Sequence, residues 1–364
     1  MLVPTGRMTA ALTLLLFPLT TAWAGLFDDG CAEVGCCDVL CDDALCGDVG
    51  CDGGFADFGF LSGCDTDCRC PTPCGAPAHV GAVHDLFESL DVLGILPETF
   101  FRTDHCFDGF IQPITNPVYF TDPRSISRVR GLFISQGLPD GSVLQGGDFQ
   151  VYALQISAAI NERWSIIAEK DGYIDLNSGL LDTGGWANLE AGVKYVVHRD
   201  VKNQELFTVG LLYEMPSGEA DVFERPSNGV WNFFGSYGKE IACGSHFLGV
   251  LGYRQPDNGD TDTSAVYYSA HVDYEVLDGI FGVVEFNGRT YTDSADEFPL
   301  PVEGFDLLNL GAAGVAGSTT VTMGVGGAYK PNPWYELSAA WEFPINSNED
   351  LFENRVTAML SLFF

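Results

Sequence analysis

Basic residues are scarce in this sequence. Its 364 residues include 17 Lys and Arg against 50 Asp and Glu, which gives a formal net charge of −33 at pH 7. Because nucleic-acid binders neutralise phosphates with Lys and Arg, this charge excludes nucleic acid as a partner. After residue 30 the chain also lacks any apolar run near the ~18 to 20 residues that a membrane-spanning helix needs. Helical membrane proteins are therefore excluded.

Cysteine is nearly absent from most of the chain. Ten of the 12 cysteines lie between Cys31 and Cys74, and the remaining two are Cys106 and Cys243. The long remainder is rich in glycine and aromatic residues. This break predicts four regions: a signal peptide over 1–24, a Cys-rich acidic periplasmic segment over 25–78, a linker, entry segment or plug over 79–125, and a β-barrel over 126–364.

The first 24 residues have the pattern of a secretory signal peptide. Arg7 supplies the positive n-region, the uncharged stretch 8–21 supplies the apolar region, and Ala22-Trp23-Ala24 is a small-x-small cleavage site. The sequence therefore predicts export to an oxidising compartment, where disulfides form and persist.

A Cys-rich repeat follows the signal peptide. Cysteines recur every five residues from Cys31 to Cys51, a period that matches neither a helix nor a strand. Three interpretations stay open: disulfides within or between chains, a zinc site that includes Cys64 to Cys74, and a β-solenoid. The disulfide candidates are Cys31, Cys36, Cys37, Cys41, Cys46, Cys51, Cys64, Cys68, Cys70 and Cys74.

From residue 126 onward, apolar residues alternate with small or polar ones. In the segment 264–276, for example, Val266, Tyr268 and Ala270 alternate with Ser269 and His271. Such segments put one face in an apolar medium, and each is long enough to cross hydrocarbon as a tilted strand. The predicted strands are 126–135, 149–160, 163–171, 186–197, 205–215, 230–240, 245–254, 264–276, 280–291, 320–330, 334–343 and 354–364.

The connections between these strands alternate in length. Short ones, such as 161–162 and 277–279, alternate with long ones, such as 172–185 and 292–319. This sorting is typical of a transmembrane barrel, which has tight periplasmic turns and longer outer loops. We therefore predict an all-β protein: an antiparallel up-and-down barrel of about twelve strands, preceded by an irregular Cys-rich segment. An even strand number places both termini in the periplasm.

Two further sequence features concern the longest loop and the ends of the strands. The loop 292–319 contains Phe305-Asp306-Leu307-Leu308-Asn309-Leu310, an apolar content that predicts inward folding or packing on the rim. Aromatic residues near strand ends are candidates for interfacial girdles. These are Tyr195, Tyr213, Trp231, Tyr237, Tyr253, Tyr291, Trp334 and Trp341.

The face opposite the apolar one carries charges of both signs, which suits a water-filled or plugged interior. Acids outnumber bases on this face, so the sequence predicts weak cation preference. The bore of twelve strands is narrow, which favours small solutes or closure by loops or by residues 80–120. The predicted pore-lining residues are Arg128, Arg130, Glu190, Lys194, Glu214, Arg254, His271, Asp273, Glu275, Glu285, Asn287, Arg289, Glu336 and Glu342.

The C-terminal strand carries the most specific signal. Val356, Ala358, Leu360, Leu362 and the terminal Phe364 are apolar at every second position. This pattern resembles the C-terminal assembly signal of bacterial outer-membrane β-barrel proteins. The resemblance implies location in the outer membrane, contact with its lipid, and recognition of Phe364 by the barrel-assembly machinery.

The entry segment 110–120, followed by Asp122-Pro123-Arg124, resembles uncharacterised barrels with Cys-rich leaders. These in turn are similar to porin-like barrels of aromatic-degradation pathways. The resemblance implies a channel or transporter and offers no catalytic residues. No cofactor or metal site is assigned.

Three functions are consistent with the sequence. The first is a channel that passes small polar or aromatic solutes by passive or facilitated diffusion. The second is a structural envelope protein, anchored by the barrel and cross-linked to envelope partners through the Cys-rich arm. The third is a lipid hydrolase: the turn at 277–279 predicts that His271 pairs with Glu285 and Ser269 with Asn287, which resembles the site of outer-membrane phospholipases.

Overall fold

A computed structural model describes residues 103–224, 228–347 and 350–364. The described chain contains two short 3₁₀ helices, His105–Phe107 and Ala220–Val222, and none of its helices is long and apolar enough to span a membrane. The predicted signal peptide and all ten disulfide candidates lie outside the described residues. The strands are β1 (Arg128–Gly137), β2 (Gly147–Ala159), β3 (Trp164–Lys170), β4 (Tyr173–Ser178), β5 (Asp182–Trp186), β6 (Leu189–Asp200), β7 (Glu205–Met215), β8 (Val230–Ala242), β9 (Ser245–Pro256), β10 (Ser264–Leu277), β11 (Ile280–Asp293), β12 (Thr319–Asn332), β13 (Tyr335–Pro344) and β14 (Asn354–Phe363).

The strands form one closed antiparallel barrel. β1 pairs with β2 on one side and with β14 on the other, and Arg128 lies opposite Phe363 in the closing pair. β3 and β4 both pair with β2, while β6 pairs with β3 and β5 with β4. β3 and β4 are therefore two parts of one interrupted strand, and so are β5 and β6. Counted in this way, the barrel has twelve strands. The predicted fold class and strand number are confirmed.

The outer surface of the barrel is apolar. Along β14, Val356, Leu360 and Leu362 remain 44–48% exposed while Thr357 and Ser361 between them are buried. β10 repeats the alternation, with Tyr268 and Tyr274 outside and Ser269 and His271 inside. A soluble protein rarely exposes apolar surface that is continuous around the molecule. The alternation is that of a lipid-facing barrel wall.

The prediction of a loop over 172–185 is wrong. Most of this stretch is the hairpin of β4 and β5, which extends the third and fourth barrel strands. The prediction failed because the third strand is interrupted between Lys170 and Tyr173, where Gly172 adopts φ +108°. A Cβ at Gly172 would lie 2.5 Å from the Tyr152 carbonyl oxygen, so the chain can pass β2 this closely only without a side chain.

The two ends of the barrel differ, and we call them the short-turn end and the long-loop end. At the short-turn end, Trp164 packs on Tyr195 with a ring-centroid distance of 4.7 Å. At the long-loop end, Tyr213 packs on Trp231 at the same distance. Aromatic side chains thus occur near both predicted membrane boundaries. Tyr291 is an exception to the predicted girdle, because it faces inward, is 1% exposed and donates a hydrogen bond to Asp350.

Candidate functional site: the filled lumen

The structure buries thirteen of the fourteen predicted pore-lining residues inside the barrel wall; Glu275 is the exception. Glu275 lies at the short-turn end, where it accepts a hydrogen bond from the Gly279 amide. The inward residues occupy alternate positions on their strands, as the pleat of a sheet requires. They face a lumen that contains protein, so their role in lining an open pore stays a prediction.

Residues 103–125, which we call the plug, enter the barrel from the short-turn end. The Thr103 amide donates to the carbonyl of Phe364, so the plug begins beside the C-terminus. Asp104 forms an ion pair with Arg199 at 2.8 Å, and the Lys330 ammonium donates to the carbonyls of Asp108 (2.7 Å) and Phe110 (2.8 Å). These contacts hold the start of the plug against several strands.

The tip of the plug is bound by Glu285 on β11. The amides of Ile114 and Thr115 donate to its carboxylate at 2.8 and 2.6 Å, and the Thr115 hydroxyl donates to the same oxygen as the Thr115 amide. On the neighbouring strand β12, Gly324 lies directly opposite Glu285 and leaves room for the plug, since a Cβ there would lie 2.5 Å from Thr115 Cγ2. Wall and plug are therefore complementary in both hydrogen bonding and shape.

The plug then returns to the short-turn end. Arg124 and Asp122 form a fully buried ion pair at 2.6 Å, and Arg124 also donates to the carbonyls of Phe107 (3.3 Å) and Phe110 (3.0 Å). Burial opposes ionisation of Asp122, but Arg124 outweighs burial and holds the pKa of this carboxyl well below its usual range. Through its bonds to the Phe107 and Phe110 carbonyls, Arg124 joins the two arms of the plug.

Buried ion pairs also connect strands that are separated by one other strand in the sheet. Arg128 and Arg130 both bind Glu169, at 3.1 and 3.3 Å, and Lys170 lies 2.8 Å from Glu214. Sequence reasoning missed Glu169 and Lys170, which are adjacent yet both buried. A register shift between Ala168 and Lys170 breaks the alternation there, and the sequence carries no clear signal of such a bulge.

Residues 294–318, which we call the inward loop, enter the lumen from the long-loop end with their central part, 303–312. The sequence predicted inward folding or packing on the rim. Phe305, Leu307, Leu308 and Leu310 are at most 5% exposed, and Leu307 lies beside Val118 of the plug, so the loop folds inward. Arg355 on β14 binds Asp306 of this loop at 2.8 Å. Arg355 was missed by sequence reasoning, although it has the same parity as the inward Thr357 and Ser361.

The plug and the inward loop approach each other inside the barrel. Val118 of the plug and Leu307 of the inward loop both line a cavity of about 20 Å³, together with Leu132, Ile134 and Val151 of the wall. A space this small holds no organic solute. In this structure, therefore, the lumen is filled from both ends.

The lipid-hydrolase hypothesis depended on the register of β10 and β11. That register is confirmed, since His271 lies opposite Glu285 and Ser269 opposite Asn287. His271, however, has both ring nitrogens beside carboxylates: Nδ1 is 2.6 Å from Glu285 and Nε2 is 3.1 Å from Asp273. Ser269 instead accepts a hydrogen bond from Asn116 of the plug at 3.1 Å. The described contacts thus include no base that could activate Ser269.

Comparisons with known proteins give no match by family: no family model and no curated protein matches this sequence. Among solved structures, an outer membrane channel from Pseudomonas putida F1 is 12% identical, with a TM-score of 0.49 over 70% of this chain and 100% of that one. The KdgM porin in complex with disordered oligogalacturonate is 12% identical, with a TM-score of 0.39, and the match covers 65% of this chain and 99% of that one. The outer membrane channel DcaP of Acinetobacter baumannii is 11% identical, with a TM-score of 0.32 over 66% and 96%.

The class of the protein follows from its own geometry. A closed twelve-stranded antiparallel barrel with an apolar outer face and a charged interior is the architecture of bacterial outer-membrane β-barrels. In the described residues, the lumen of this barrel is closed by its own plug and inward loop.

Proposed function

We propose that this protein is an outer-membrane channel for small polar or aromatic solutes, and that the plug gates it. The observation that carries the proposal is the set of polar contacts between the plug and the barrel wall. The plug binds the wall through Glu285, Lys330, Arg199 and other charged side chains. Water can replace such contacts when the plug withdraws, since a hydrogen bond to a charged group contributes a net stabilisation of only about 1.5–3 kcal/mol. The charged wall that remains would be a suitable lining for an aqueous pore.

The same proposal assigns the regions outside the described residues. We propose that residues 1–24 are removed on export and that the Cys-rich arm over 25–78 lies in the periplasm. The short-turn end, where the plug begins beside Phe364, is then the periplasmic end. Outer-membrane lipid would surround the wall, and withdrawal of the plug would be directed towards the periplasm.

Planar-bilayer recording of the full-length protein tests the channel function. We expect long closed periods with infrequent, discrete openings, because the filled lumen is the ground state. The control is the same preparation after heat denaturation. A folded protein that gives no openings, even with the plug-releasing substitutions described in the Discussion, would refute the channel.

The alternative is a structural anchor, and the filled lumen is the observation that favours it. In that case the plug would be a permanent part of the barrel interior, and the Cys-rich arm would carry the function by cross-linking the envelope. Disulfide-linked multimers on non-reducing electrophoresis, together with absent conductance, are the result expected for an anchor.

The terminal Phe364 provides a prediction about assembly. Its amide donates to the Ser127 carbonyl at 3.0 Å, which joins the last residue to the residue before β1. If the assembly machinery recognises this aromatic end, Phe364→Ala should reduce the amount of folded barrel in the outer membrane several-fold. The unboiled protein's electrophoretic mobility measures this amount. The control is Phe352→Ala, which lies inside the barrel near the long-loop end and is not expected to act through recognition. The yield of each variant refolded in detergent separates the two, because refolding needs no recognition by the machinery. Equal loss for Phe364→Ala in refolding and in cells would contradict recognition.

A further inference from the structure

A buried arginine inside the barrel has no carboxylate partner among the described residues. Arg289 on β11 is 2% exposed, and among the described residues no carboxylate lies within ion-pair distance of it. Its Nε and Nη1 atoms are buried without a hydrogen-bond partner. A buried charge without a partner costs several kcal/mol in general, so native proteins retain one mainly where a ligand or water pairs with it.

Aromatic rings surround this cation. The Arg289 guanidinium carbon lies 5.1 Å from the ring centroid of Tyr119 and 5.3 Å from that of Tyr291. The neighbouring Arg254 lies 5.6 Å from the Tyr119 ring, and Tyr119 packs on Tyr267 with a centroid distance of 4.9 Å. The Tyr119 ring is therefore held by two guanidinium groups and one further ring, an arrangement that favours aromatic groups.

Charges of both signs lie near this cluster. Glu303 and Asp350 interact with Arg289, and Asp350 accepts a hydrogen bond from Tyr291, but neither carboxylate forms an ion pair with Arg289. Arg254 pairs with Glu214 at 2.7 Å, but its Nε is also without a hydrogen-bond partner, as is the hydroxyl of Tyr119. Two guanidinium groups thus share one ring, and a single one of them has a carboxylate. Although the lumen as a whole is predicted to prefer cations, the unpartnered N–H groups of Arg289 are suited to bind an anion.

Tyr119 belongs to the plug, whereas Arg254, Arg289, Tyr267 and Tyr291 belong to the wall. We infer that these four wall residues form the solute-binding site of the channel, that the site takes a small aromatic carboxylate, and that Tyr119 occupies it in the closed state. The carboxylate pairs with the unpartnered Arg289, and the aryl ring takes the place of the Tyr119 ring on Tyr267. This inference rests on the proposed function, because it identifies the solute class of the same lumen.

A solute that binds there competes with the plug. Removal of Tyr119 from its place removes one of the contacts that hold the plug tip, next to the hydrogen bonds of Thr115 with Glu285. Solute binding and plug release would therefore be coupled, since each lowers the cost of the other.

Calorimetric titration of the detergent-solubilised full chain with sodium benzoate tests the site. The neutral isostere benzamide and the non-aromatic cyclohexanecarboxylate serve as reference probes. Tyr119→Ala should bind benzoate at least about tenfold more tightly than wild type, because the competing ring is absent. In this variant we expect benzoate to bind about tenfold or more tightly than benzamide, as a charge-assisted pair with Arg289 requires. Cyclohexanecarboxylate should bind more weakly than benzoate.

Substitution of the cation provides the second arm. Adding Arg289→Gln to Tyr119→Ala should weaken benzoate binding at least about tenfold and change benzamide binding less than about twofold. The matched control is Arg163→Gln, an arginine at the short-turn end whose guanidinium donates to the carbonyls of Val196 and Val197. Electrophoretic mobility of the unboiled protein verifies that each variant is folded. Equal affinity for benzoate and benzamide, or unchanged benzoate affinity after Arg289→Gln, would overturn the inference.

Conductance separates this inference from the proposed function. If benzoate binds as expected but no variant conducts, the site stands and the channel is refuted. If plug-releasing variants conduct but benzoate does not bind, the channel stands and the aromatic-carboxylate site is refuted.

Discussion

Replacement of Glu285 by alanine is expected to raise the open probability of the channel roughly a hundredfold. Glu285 accepts hydrogen bonds from the Ile114 and Thr115 amides and lies 2.6 Å from His271 Nδ1. Hydrogen bonds to a charged acceptor contribute about 1.5–3 kcal/mol each. The loss of both bonds from the docked plug therefore changes the ratio of open to closed states by at least about a hundredfold. Single-channel recording in planar bilayers measures the change.

Two further variants show whether the effect comes from the plug. Gly324→Val should also open the channel, because the new side chain takes the space of Thr115 while every hydrogen-bonding group of the plug and of Glu285 is kept. Glu240→Gln, at the short-turn end of β8, is the matched control and should leave the open probability unchanged. Unaltered gating in both Glu285→Ala and Gly324→Val would show that the plug does not gate the lumen.

The second large effect is expected at the ion pair between Asp122 and Arg124. Arg124→Met leaves the Asp122 carboxylate buried without its cation, which in general costs about 3–5 kcal/mol. The plug should then leave the lumen in much of the population. The double variant Asp122→Asn with Arg124→Met removes both charges and should restore much of the closed state. Protease sensitivity of residues 103–125 in detergent, together with conductance, measures plug release.

The same ion pair predicts a pH dependence. Because Arg124 lowers the pKa of Asp122 when the plug is docked, ionised Asp122 stabilises the docked state. This contribution is fully present above the ordinary carboxyl pKa of about 4 and is lost as the pH falls below it. Wild-type conductance should therefore rise as the pH is lowered below about 4, and this rise should be smaller in Asp122→Asn. An identical acid response in the two proteins would contradict the assignment.

The inward loop illustrates where sequence reasoning succeeded. Its run of apolar residues around Leu307 is incompatible with a solvated loop of that length, so burial could be predicted before its location was known. The partner of Asp306 could not, because Arg355 is 49 residues away along the chain and only barrel closure brings them together.

Arg289 illustrates the opposite case. Its parity on β11 places it on the polar face, and the sequence predicted that much. That no described carboxylate pairs with it, and that it lies beside Tyr119, depend on how the plug is threaded through the lumen. A segment without strand periodicity, such as 103–125, has no pattern that specifies its path.

The sequence by itself determined the barrel. An alternation with period two decides which side chain meets lipid at each position, and the sorted connection lengths decide the up-and-down order, so local rules are sufficient to specify a wall. The tertiary structure alone decided what fills the lumen inside that wall. The seat of the plug on Glu285, the clearance at Gly324 and the unpaired cation at Arg289 are contacts between segments far apart in the chain, and such contacts have no local pattern to reveal them.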